Sequence, residues 1–140
     1  MPPIDQTIAA LTAFEPTGIE DDDVAQLDEM LDTIVSPEHV EAIAPAILGV
    51  FERFPSALLG SPGPLVHCIE RLPIAIFLPL VLDSFRKRPA RMTFWMIDRC
   101  LRETLPAEIR QNALQALRAV RRGPDEGLHG EIDELLADAA

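Results

Sequence analysis

With 140 residues, the chain has room for one domain with a real core and no room for two. Its hydrophobic content of 48% excludes a disordered chain. Its formal net charge of −11 disfavours nucleic-acid binding, because phosphates repel so acidic a protein. Tyr is absent, aromatics total 5%, and period-two runs of β-branched residues are missing. The composition therefore favours helices over strands.

In chain order, Ile4 to Phe14 is predicted as a short helix with Ile4, Ile8, Leu11 and Phe14 inward, broken at Pro16-Thr17-Gly18. A second helix spans about Asp21 to Val35, where Val24, Leu27, Leu31 and Ile34 recur at amphipathic spacing. Asp21, Asp28, Glu29 and Asp32 fall on its opposite side. Ser36-Pro37-Glu38 starts a third helix, with Ser36 as N-cap and Pro37 at the first position. Val40, Ile43, Ala44, Ile47, Phe51 and Phe54 form its stripe. Pro45 is expected to kink or interrupt it, and Pro55 to end it. Leu65 to Leu72 is a further short helix after the rigid loop Gly60 to Pro64.

The apolar segment from Leu72 to Leu82 and the segment from Met92 to Leu101 flank the basic corner Arg86-Lys87-Arg88. Both are apolar around most of their circumference, so they are expected at the centre of the fold, with a bend at Pro79. Thr104-Leu105-Pro106 opens the next helix, with Arg110, Arg118, Arg121 and Arg122 on an outer face and Gly123 as C-terminal cap. Pro124 marks a fresh start, and Leu128, Ile132, Leu135 and Leu136 line a last helix.

The pattern from Ser36 to Pro55 echoes from Leu105 to Pro124: Pro37 aligns with Pro106, Val40 with Ile109, Ala44 with Ala113 and Leu48 with Leu117. One echo at a shift of 69 residues suits about eight short helices stacked as hairpins of the HEAT or armadillo kind in a single all-helical domain over residues 1–140. An irregular helical bundle is the competing architecture.

Charge is divided along the chain. Met1 to Glu52 holds twelve carboxylates and no Lys or Arg. Arg53 to Arg122 holds all twelve basic residues and five acids, and Gly123 to Ala140 holds six acids. Self-repulsion in the first third must be offset, either by the basic zone of the same molecule or by an outside partner. Glu20, Asp21, Asp22, Asp23, Asp28, Glu29 and Asp32 form the candidate partner-binding set. A solvated acidic face is the plainer reading of the same run.

Signals for chemistry are sparse. His67 and Cys68 are adjacent, so on a helix they point about 100° apart. Cys68 and Cys100 read as buried thiols in apolar helices rather than as nucleophiles. His39, His67 and His129 lack metal-ligand spacing, and His39 and His129 are expected to face solvent. Glu20 to Asp32 lacks the alternating ligands and central glycine of a calcium loop. No catalytic residue, cofactor or metal site is expected. An enzyme would have only His67 and Asp98 to build on. Trp95 reads as core rather than as a binding anchor, since Phe94, Met96 and Ile97 flank it. Asp98 and Arg102 are spaced for a helical ion pair.

The apolar run from Leu72 to Leu82 is too short for a bilayer, which needs about 20 residues. The N-terminal stretch lacks the basic and apolar regions of an export signal. The expected setting is cytoplasmic, with no membrane partner.

Three pieces carry a family resemblance: FERFP at Phe51 to Pro55, LVHCIERLP at Leu65 to Pro73, and LDSFRKRPARMTFWMIDRCL at Leu82 to Leu101. In that order they resemble small all-helical immunity proteins of bacterial polymorphic toxin–immunity systems. The resemblance covers about a third of the chain and transfers no functional residue. It implies a non-enzymatic inhibitor that occludes a cognate toxin, and an acidic surface suits a toxin with a basic one. The alternative is a helical-repeat scaffold or adaptor without a toxin partner.

Overall fold

The computed structural model describes residues 3–139, and the regular secondary structure within them is all α-helix. The helices are α1 (Pro3–Ala13), α2 (Glu20–Leu31), α3 (Pro37–Arg53), α4 (Pro64–Ile69), α5 (Ile74–Lys87), α6 (Arg91–Leu101), α7 (Ala107–Arg122) and α8 (His129–Ala139).

Each consecutive pair packs as a hairpin: α1 on α2, α3 on α4, α5 on α6, α7 on α8. The first helices of the hairpins then stack in order, α1 on α3, α3 on α5, and α5 on α7. These four helices begin at Pro3, Pro37, Ile74 and Ala107, so the repeat length is 34, 37 and 33 residues. The echo at 69 residues is therefore two repeats, and it pairs α3 with α7 as the leading helices of the second and fourth hairpins.

Tertiary hydrogen bonds show that the stacked helices run the same way. Arg53 near the end of α3 donates to the carbonyls of Leu11 (2.8 Å) and Phe14 (3.0 Å) at the end of α1. Ser84 late in α5 donates to the Glu52 carboxylate late in α3 at 2.8 Å. Four parallel helices present their C-terminal carbonyls at one edge, and Arg53, Arg86, Lys87, Arg121 and Arg122 lie in the last turns there. The macrodipole favours cations at that end, which explains much of the basic zone. Arginines also close helix ends elsewhere. Arg71 donates to Ile34 O after α2, and Arg110 donates to Leu101 O and Ala139 O at the ends of α6 and α8.

Local signals explain the starts. Ser36 Oγ accepts from His39 N–H at 3.2 Å, and Pro37 supplies a helical φ without wasting an N–H. Other boundaries move: α2 stops at Leu31 rather than Val35, and α8 begins at His129, five residues after Pro124. Neither Pro45 nor Pro79 interrupts its helix. Both prolines are exposed, as are Glu41 and Ala75, the residues whose carbonyls the prolines leave without an N–H.

The central position of α5 holds, because it packs on α3, α6 and α7. Its expected coverage on all sides does not. Phe77, Leu78, Val81, Leu82 and Phe85 are buried, while Ala75, Ile76 and Pro79 form an open strip. A helix inside a stacked layer is covered by its two layer neighbours and its hairpin mate, which leaves one side free. Trp95 is half-buried at the edge of the core, with the Arg99 guanidinium 5.1 Å from its ring centroid. No helix is long and apolar enough to cross a membrane among the described residues.

Candidate functional site

Among the described residues, no carboxylate of the first third forms an ion pair. Asp23 is only 1% exposed, which removes it from the partner-binding set. Its Oδ1 accepts from Thr17 N–H (2.8 Å) and Thr17 Oγ1 (2.9 Å), so it ties the α1–α2 loop to the first turn of α2. Glu20 Oε2 accepts from Gly60 N–H at 3.2 Å and fastens that loop to the α3–α4 loop. Glu52 receives the Ser84 hydroxyl. The others, Asp5, Glu15, Asp21, Asp22, Asp28, Glu29, Asp32, Glu38 and Glu41, are all exposed and pair with no cation among the described residues.

Among the described residues, the ion pairs lie entirely beyond residue 69. Glu70 bridges Arg99 (2.8 Å), Asp83 bridges Arg86 (3.3 Å), Asp98 bridges Arg102 (3.0 Å) and Asp133 bridges Arg121 (2.7 Å). Among the described residues the basic zone thus pairs with acids of its own stretch and with Asp133 of the C-terminal acidic zone, and makes no ion pair with the acids of the first third. Arg86, Arg99, Arg102 and Arg121 are taken up by their paired acids, and Arg53, Arg71 and Arg110 by helix-end carbonyls.

Placement on α2 sharpens the point. Asp21 and Asp22 sit in its first turn, where the macrodipole favours them. Asp28 and Glu29 sit in its second half and Asp32 is its C-cap, where the dipole opposes negative charge and no basic residue occupies the last turn. Asp28 and Asp32 line a groove of roughly 270 Å³ between α2 and α4, with His67, Cys68 and Arg71 on the other wall. Arg71 offsets part of that charge, but its guanidinium is turned to Ile34 O.

The residues on which enzyme chemistry could have been built stay apart. His67 is exposed in the α2–α4 groove, whereas Asp98 on α6 bonds Arg102. Burial pushes both thiols up, Cys100 to about 11, with Glu70 and Glu103 adding to the shift. Thiols held protonated at neutral pH are poor nucleophiles. His39 is exposed as expected. His129 is not: it is half-buried, with Nδ1 3.2 Å from an Arg121 nitrogen, because α8 folds back over α7. Among the described residues no cluster of His, Cys, Asp or Glu has the form of a metal site.

Two predictions arise from these contacts. Asp23→Ala strands the Thr17 N–H and hydroxyl, and is expected to cost about 1–3 kcal/mol, whereas Asp22→Ala costs under about 1 kcal/mol. Urea midpoints of the two variants check this, and equal losses would contradict the internal role of Asp23. The second concerns alkaline pH. The folded Cys100 keeps its proton up to about 11, while the unfolded thiol releases it near 9.0. Stability is therefore full below about pH 9 and falls as pH rises toward 11, by about 2–3 kcal/mol for this group. With no Tyr and one Lys in the chain, few other groups titrate in that window. Cys68→Ala/Cys100→Ala is expected to flatten the decline in urea midpoint between pH 9 and 11.

Compared with known proteins, the chain matches no family model, no curated protein and no solved structure.

Proposed function

We propose that this chain is a non-enzymatic immunity protein: it binds a cognate bacterial toxin through a basic surface of that toxin and neutralises it by occlusion. The observation that carries the reading is the position of Asp28, Glu29 and Asp32 on α2. They stand exposed, unpaired and at the helix end that opposes them, an arrangement that costs stability within the chain. A basic partner offsets that cost on binding. Opposed charge also accelerates encounter, to roughly 10⁸–10⁹ M⁻¹s⁻¹ at low ionic strength, and fast capture is what self-protection needs. The resemblance of the segments within residues 51–101 to immunity proteins supports the same class.

The scaffold reading draws on one feature, the uncovered strip of Ala75, Ile76 and Pro79 on α5. It predicts an apolar contact indifferent to salt. Co-expression with the product of the adjacent reading frame separates the two. The immunity reading expects restored growth and a copurifying pair whose affinity falls with salt. Undiminished toxicity together with no complex would contradict it.

A further inference from the structure

We infer that the corner where the α1–α2 loop meets the α3–α4 loop is the seat for an apolar side chain of the partner, flanked there by lysine or arginine. The inference rests on the protein-binding reading above and names the part of the surface that makes the central contact.

Two of the few large hydrophobic side chains that the fold leaves in water belong to this corner. Ile19 is 59% exposed and Leu58 is 63% exposed. The hydrogen bond from Gly60 N–H to Glu20 fastens the two loops together beside them. An open concavity of roughly 550 Å³ lies between the loops, lined by Glu15, Pro16, Gly18, Phe54, Pro55 and Ala57.

The corner is held in shape before any partner arrives. Asp23 anchors Thr17 through two hydrogen bonds, and Gly18 takes a φ of 91° that a side chain would disfavour. Arg53 stacks 5.1 Å from the Phe54 ring centroid while its guanidinium binds the carbonyls of Leu11 and Phe14. Pro16 and Pro55 stiffen the walls. A preorganised site loses little entropy when it binds, and that favours affinity.

Charge selects the occupant. Glu15, Asp21 and Asp22 are exposed and unpaired around the apolar residues. Two cations stand against these three acids: Arg53, whose guanidinium is bound to the carbonyls of Leu11 and Phe14, and Arg91, whose backbone N–H donates to Pro55 O at 3.1 Å. Apolar anchors inside a charged rim are the usual anatomy of a contact that carries binding energy. The acidic rim rejects an anionic membrane. A second copy of this chain would bring the same carboxylates to the contact and be repelled.

The test is an NMR titration of the full chain with two synthetic peptides, one alternating leucine and lysine, the other lysine alone. The leucine–lysine peptide is expected to shift the amides of Gly18, Ile19, Ala57 and Leu58, and oligolysine those of Asp28, Glu29 and Asp32. Ile19→Ser/Leu58→Ser is expected to weaken the first peptide about tenfold, to leave oligolysine binding unchanged, and to keep the melting temperature, since both residues are exposed. Shifts on α2 alone from both peptides would overturn the seat and leave the acidic-face reading standing. Shifts from neither would remove both. Self-association or binding to anionic vesicles that the double variant abolishes would assign the corner to another occupant and overturn this one.

Discussion

Replacing Phe85 with alanine is expected to cost about 3–5 kcal/mol, the largest single loss on the chain. Phe85 is 0% exposed on α5, the helix that packs on α3, α6 and α7 at once. Its ring lies 6.3 Å from that of Phe94 across the α5–α6 hairpin. Removing it opens a void that neither the hairpin nor the stack can close without moving the other. A domain of this size holds only about 5–15 kcal/mol in total, so the variant sits near the edge of folding. Ile76→Ala lies on the open side of the same helix, 41% exposed, and is expected to change stability by under about 1 kcal/mol. Urea unfolding followed by circular dichroism compares the two. Similar midpoints would mean that α5 is not the keystone of the stack.

The second large effect has two signs in one molecule. Asp28→Asn/Glu29→Gln/Asp32→Asn removes charges that the α2 dipole opposes and that repel one another at helical spacing. At low salt the triple variant is expected to be more stable than the parent by about 1 kcal/mol. That gain should fade as salt screens the parent's repulsion, since the Debye length is only about 10 Å at 0.1 M. Capture of a basic protein partner should move the other way, slowing at least about tenfold at low ionic strength. Stability given up locally in return for partner contact is the mark of a functional surface. Asp21→Asn/Asp22→Asn is the internal control, because those charges sit at the favourable end of the helix and their loss should not stabilise.

Local patterns made much of the fold legible. Ser36-Pro37 marked a start that the structure reproduces, and the 69-residue echo was two turns of a repeat whose single period was hidden by unequal loops. Asp98 and Arg102 paired as their spacing predicts. Asp23 shows what pattern reading missed, although the signal was present. Asp23, Leu27 and Leu31 form an i, i+4 row, which places the carboxylate in the buried stripe, opposite a loop that needed a hydrogen-bond acceptor. The carbonyl-capping arginines were not legible at all. Arg53 reaches back 42 residues to Leu11 and Arg71 37 residues to Ile34, and no local spacing encodes contacts of that range. Nor does sequence show that Arg71, the arginine that shares a groove with Asp28 and Asp32, turns its guanidinium to Ile34 O instead.

The proposed role of Asp28, Glu29 and Asp32 is to meet a basic protein. Its most direct test is the association rate with the product of the adjacent reading frame, measured from low to high salt for the parent chain and for Asp28→Asn/Glu29→Gln/Asp32→Asn. The expected result is a parent rate that falls steeply with salt and a triple variant that is slow and nearly flat throughout. A triple variant that captures the partner as fast as the parent, with the same salt dependence, would contradict the account.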